Sequence, residues 1–202
     1  LIGTLMLILG AGALLQMGQI RSAAEDISTT SVPSIQNLDE FTQLALRLRV
    51  LSYRLLINRE PDVQQKTMEL LDLRNQEIRT AETEYEKYIS SPQEQAVYDR
   101  YKQLMGQYGQ LQDRMRNYSR NDQVDQLREL LNTELLENSE AINKELNNLM
   151  RINGQQITEA NQRASDMYSA AIKLVATLLM SKRYMAIRIC PPARSEEHTS
   201  EL

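Results

Sequence analysis

The chain has 202 residues, enough for one domain of ordinary size or one elongated one. Only 7 Gly and 5 Pro interrupt it, Trp is absent and Phe occurs once; helix formers dominate, which disfavours an all-β or α/β fold. One Cys (Cys190) and one His (His198) exclude an internal disulfide framework, a Cys-rich zinc site and most His-based catalysis, and a net charge of -4 argues against nucleic acid as a partner.

Residues 1–15, LIGTLMLILGAGALL, carry no charge. At about 1.5 Å per residue they span about 22 Å, short of the ~30 Å hydrocarbon core of a bilayer. Residues 1–20 read as the outer part of a first transmembrane helix. A cleaved signal peptide is the alternative, disfavoured because no clear small-x-small cleavage site follows.

Four helical runs come next. The first continues to about Asn58, with Ile35, Leu38, Phe41, Leu44, Leu48, Leu51 and Leu55 on one apolar stripe. Pro33 should kink or restart it. The second follows Pro61, with its stripe at Val63, Thr67, Leu70, Ile78, Ala81, Tyr85 and Tyr88, and Arg74 an oddity in the series. The third opens on the capping box Ser91-Pro92-Gln93-Glu94. Val97, Tyr101, Leu104, Tyr108, Leu111, Met115 and Tyr118 then alternate steps of four and three, a coiled-coil-like seam. The fourth runs unbroken from about Gln123 to Met180 through Ile142, Leu146, Leu149, Asn153 and Ala160. Asn153 at a seam position reads as a register device or a polar layer.

The breaks are short, so sequential helices should pack antiparallel. The expected fold is all-α: an antiparallel up-down-up-down four-helix bundle flanked by transmembrane helix segments. Residues 21–168 form the bundle and 169–181 the start of a second membrane helix. Residues 194–202, RSEEHTSEL, resemble a translated sequencing adapter, and 182–202 are set aside as a tail of artefactual origin. A short basic cytoplasmic tail, with Lys182, Arg183 and Arg188, is the alternative.

Between Thr42 and Arg59 the only charged residues are Arg47, Arg49, Arg54 and Arg59. Arg47 and Arg54 fall almost on one line, while Arg49 and Tyr53 project to the other side. Guanidinium groups match carboxylates bidentately, so an anionic ligand is the natural hypothesis. Solvation, or pairing with glutamates on other helices, is the competing one. Tyr101, Tyr108 and Tyr118 lie on the seam, where core packing explains them.

The ordered set of features resembles the periplasmic four-helix-bundle sensor region of bacterial methyl-accepting chemotaxis proteins. It comprises the apolar start, Ser31-Val32-Pro33-Ser34-Ile35, Leu46-Arg47-Leu48-Arg49-Val50-Leu51-Ser52-Tyr53-Arg54, and Leu149-Met150-Arg151-Ile152-Asn153 with Ala164-Ser165-Asp166-Met167-Tyr168. The resemblance covers about residues 1–180. It implies a homodimer in the bacterial inner membrane, with the bundle in the periplasm. It implies a small-molecule ligand, an organic acid or amino acid, and a signal passed through the last helix to downstream proteins. The aspartate and serine receptors of this family space arginines R-x4-R-x3-R in the first helix. Arg54 matches the last of these, but Ala45 and Val50 fall near the other two, which puts the usual clamp in doubt. A threonine at the start of the family's last helix corresponds to Thr133, preceded by Asn132. The ligand-binding candidates are therefore Arg47, Arg49, Tyr53, Arg54, Asn132 and Thr133. No metal, no cofactor and no enzymatic activity are expected: the region before residue 182 has no His, and no phosphate loop or Ser/His/Asp set can be assembled. The input domain of a membrane-bound sensor kinase or other signalling enzyme, and an anchored structural bundle, are the alternatives.

Overall fold

The computed structural model describes residues 27–189, together with residues 12, 15, 17–19, 21, 22 and 25. A π-helical turn, Ile27–Ser31, leads into α1 (Val32–Ile57), α2 (Pro61–Tyr85), α3 (Pro92–Arg120), α4 (Val124–Asn132) and α5 (Glu134–Ile189). There is no strand among the described residues. The chain divides into two units: Glu25–Glu159, and a second made of Leu1–Ala24 with Ala160–Leu202.

The expected first membrane segment, residues 1–20, lies almost wholly outside the described residues, as do residues 190–202. The expected second segment, 169–181, lies within α5, and several of its side chains are outside the described set. Among the described residues no helix is long and apolar enough to cross a membrane, so the expected flanking transmembrane helices are not found there.

Three prolines start three helices. Pro33, Pro61 and Pro92 occupy the first turns of α1, α2 and α3, where a missing N–H costs no hydrogen bond. The interruption expected at Pro33 takes the form of the π-helical turn before it, whose wider backbone accommodates a ring that would clash in an α-helix. At the start of α3, Ser91 Oγ accepts from the Glu94 amide at 3.2 Å. Only this half of the expected capping box forms. The Glu94 carboxylate accepts instead from the Ser90 amide at 3.0 Å.

Cross-helix partners in the unit Glu25–Glu159 fix its topology. On α2 and α3 they run in opposite order: Glu82 with Lys102 at 2.8 Å, Asn75 with Gln112 at 2.8 Å, Asp72 with Arg116 at 2.6 Å. Ser34 on α1 meets Asn153 on α5 at 2.7 Å, while Tyr53 meets the Leu131 carbonyl on α4 at 3.3 Å. Thus α4 and α5 share one rod antiparallel to α1, and the architecture is the expected up-down-up-down bundle.

The fourth rod departs from expectation in one respect. It is not continuous from residue 123 but breaks at Thr133, which sits at φ -122°, ψ -97° between α4 and α5. The Thr133 hydroxyl donates back to the Glu129 carbonyl at 2.8 Å, a bond that competes with the helical ladder and bends helices. No Pro or Gly marks the site, and the apolar stepping passes through it: Leu127, Leu130, Leu131 and Leu135 are all buried.

The seam of α3 is found as read. Val97, Tyr101, Tyr108, Leu111 and Met115 are buried, and Leu104 and Tyr118 pack against them. On α2 the stripe is rotated slightly, because Met68 and Leu71 are buried where the pattern pointed to Leu70. Phe41, Tyr85, Tyr98 and Tyr101 form one aromatic cluster, with successive ring centroids 5.3–5.8 Å apart. Stacked and edge-on contacts at these distances add to the apolar burial.

Asn153 is the polar layer anticipated from its seam position. It is 1 % exposed, and its Nδ2 donates to Glu94 Oε1 at 2.9 Å while its Oδ1 accepts from Ser34 Oγ. Glu94 is fully buried and also accepts from the Tyr85 hydroxyl at 2.8 Å. One network therefore joins α1, α2, α3 and α5. Burial, and then the neighbouring Glu94 carboxylate, push the Tyr85 phenol well above its ordinary range, which keeps it a donor.

Candidate functional site

The cationic segment occupies the second half of α1. Its wheel positions are realised in the bundle: Arg47 and Arg54 are exposed, whereas Arg49 and Tyr53 are half-buried toward the fourth rod. Arg59 pairs with Asp122, linking the turn after α1 to the turn after α3. Among the described residues Arg47, Arg49 and Arg54 form no ion pair. The glutamate-pairing alternative is thus not realised for these three, which leaves a run of positive charge without a counter-charge.

Arg49 lines a cavity of about 270 Å³ between α1, α3 and α5. Thr42 and Arg49 come from α1, Tyr108 from α3, and Ser139, Asn143 and Asn147 from α5. The α5 residues recur every fourth position, one polar line beside the buried Ile142 and Leu146. Tyr108 is 4 % exposed, and its hydroxyl has no hydrogen-bond partner. Burial raises its pKa; the polar groups of Ser52 and Gln112 and the charge of Arg49 pull it back. Tyr108 lines a space large enough for a small molecule, while its hydroxyl is buried beside Ser52 and Gln112. The cavity offers one cation and two carboxamides, groups suited to a carboxylate, while the Thr42 and Ser139 hydroxyls donate to the Leu38 and Leu135 carbonyls of their own helices.

The other expected ligand residues are distributed around this cavity. The Tyr53 hydroxyl donates to the Leu131 carbonyl and approaches Asn132 Oδ1 at 3.4 Å, so Tyr53 and Asn132 are brought together. Arg49, Tyr53 and Arg54 share a shallow surface hollow with Leu46, Val50 and Ile57. Arg47 faces the other way, toward Leu70 and Arg74 on α2. Thr133 is exposed and spends its hydroxyl on Glu129, so it does not join the arginines. The pattern reading placed Tyr108 in the core, where it lies, and missed Asn143 and Asn147. The Ser139-x3-Asn143-x3-Asn147 line was the asparagines' only signal. Among the described residues no group of His, Cys, Asp and Glu could hold a metal ion.

Residues 1–168 match a family described as a four helix bundle sensory module for signal transduction. The chain belongs to this family. It is a sensory module of the methyl-accepting chemotaxis type. No curated protein matches the chain.

Proposed function

We propose that the chain is the periplasmic ligand-sensing part of a chemoreceptor in the bacterial inner membrane, and that it binds a small organic acid or amino acid in the Arg49 cavity. The observation that carries this reading is Arg49, free of any ion pair among the described residues, in the wall of one cavity with Asn143 and Asn147 across from it on α5. A carboxylate there would take a forked pair of bonds from the guanidinium. The cavity lies between α1 and α5, so a bound anion favours one setting of α5 against α1 over others. Residues 134–189 are one helix, which supports transmission along it.

Two copies act together in this reading. Leu46, Val50 and Ile57 are 62 %, 61 % and 74 % exposed on the outer side of α1, at steps of four and seven. An apolar strip at that spacing on a water-facing helix fits the same strip on a second copy.

Calorimetric titration of malate and aspartate into the purified chain tests the ligand. Binding of one of them is expected, with Arg49→Ala weakening it about tenfold or more, the scale of a lost charge-assisted bond. The circular dichroism of the variant should be unchanged. If Arg49→Ala binds as tightly as the parent, the cavity is not the site.

A further inference from the structure

On the reading that the Arg49 cavity is the binding site, we infer the chemical class of its ligand: a small carboxylic acid with an apolar body and no amino group. The lining residues carry one charge among them, that of Arg49. Among the described residues no Asp or Glu lines the cavity, and Glu145, which lies between Asn143 and Asn147 along α5, is paired with Arg100. One negative charge on the ligand therefore neutralises the site. A second ionised group would leave water without an opposite charge to meet it.

The backbone offers an ammonium group nothing either. Thr42 and Arg49 lie within α1, Met105 and Tyr108 within α3, Ser139 and Asn147 within α5, each more than four residues from the end of its helix. Only the last four carbonyls of a helix lack an intrahelical partner, so the carbonyls of these walls are spent in the helical ladder. What remains for an ammonium is neutral: the carboxamide oxygens of Asn143 and Asn147. In an amino acid the ammonium sits on the carbon next to the carboxylate. A carboxylate held by Arg49 thus brings the ammonium close to the guanidinium, and like charges repel more strongly where water is thinned out.

The rest of the wall is apolar. Ala45 and Leu48 from α1, Met105 from α3 and Ile142 from α5 line the cavity together with the buried Tyr108. Met105 packs against the core, and its unbranched thioether adapts to bodies of different outline. A volume of about 270 Å³ is small beside the roughly 300–1,000 Å³ of pockets for drug-sized ligands. It suits an acid of a few carbon atoms whose hydrocarbon part leaves water on entry.

Two probe pairs isolate the amino group. 4-Methylpentanoate and leucine differ only in the α-ammonium; malate and aspartate carry an α-hydroxyl and an α-ammonium on the same skeleton. In calorimetric titrations of the purified full chain, 4-methylpentanoate should bind most tightly and malate less so. Leucine and aspartate should each bind about tenfold or more weaker than their partners, the scale of a charge buried unpaired. From acetate through butanoate to 4-methylpentanoate, affinity should rise roughly fourfold for each buried methylene. Asn143→Asp, which keeps the side-chain shape and puts an acid in the wall, should weaken 4-methylpentanoate and strengthen leucine. Leucine binding as tightly as 4-methylpentanoate, or aspartate as tightly as malate, overturns the proposal. So does malate binding more tightly than 4-methylpentanoate, absence of 4-methylpentanoate binding at millimolar concentration, or an unchanged preference in Asn143→Asp. If the acids that do bind are lost in Arg49→Ala, the cavity stands and only its ligand class falls. 4-Methylpentanoate binding that Arg49→Ala leaves intact overturns the cavity itself, and the ligand class with it.

Discussion

Asn153→Ala tests whether the buried polar network holds the fourth rod in place. The substitution removes the Nδ2 donor from the Glu94 carboxylate and the Oδ1 acceptor from the Ser34 hydroxyl, both in fully buried surroundings. A hydrogen bond to a carboxylate is worth about 2 kcal/mol, and stranding a buried hydroxyl costs about 2 kcal/mol more. Alanine returns about 0.5 kcal/mol through its better helix propensity. The expected net loss is about 3.5 kcal/mol, equivalent to a fall in Tm of about 7–14 °C for a unit of this size. Thermal melts followed by circular dichroism at 222 nm read the shift. Asn161→Ala, at an exposed position of α5, is the control and should leave Tm unchanged or slightly raised. A shift under about 2 °C for Asn153→Ala would sink the argument that the network stabilises the bundle, because the lost bonds then amount to less than 1 kcal/mol.

The exposed α1 strip predicts that Val50→Glu turns a dimer into a monomer in sedimentation velocity, with helicity retained; a parent chain that is monomeric at all concentrations refutes the α1 interface. The tyrosines predict alkaline sensitivity. Burial is the largest cause raising the pKa of Tyr85, Tyr98, Tyr101 and Tyr108, so the folded state holds these protons more tightly than the unfolded one. Their contribution is fully present below about pH 10, the unfolded pKa, and falls above it by about 1.4 kcal/mol per pH unit for each tyrosine. Tyrosinate absorbance near 295 nm should therefore rise together with loss of helix; titration of all nine tyrosines while the helix is intact would contradict the burial argument.

Much of the bundle could be read along the chain because its elements are long and periodic. Seven α3 positions at alternating steps of four and three predicted its buried face, and the structure buries or packs every one. Prolines marked the helix starts for a local reason, the absent N–H. The α2 stripe was less exact: Leu70 and Leu71 differ by one position, and the packing angle of α2 against its neighbours chose between them. Thr133 shows a different limit. Its break depends on a side chain bonding its own helix, and the helical alternative would have left the same residues buried. The site was half legible. Composition alone exposed the run of arginines, but three elements far apart in sequence had to come together before Arg49 acquired a cavity.

The sequence by itself determined four amphipathic rods, their order and the starts of the first three, because apolar spacing, helix propensity and proline chemistry act within a few residues. Only the tertiary structure decided which arginine turns inward, which asparagine accepts a hydrogen bond from α1 and donates one to α3, and which tyrosine hydroxyl is left without a partner. Those outcomes depend on the register between helices more than a hundred residues apart, as at Ser34 and Asn153. That register is set by side-chain packing across the core, which no local pattern encodes.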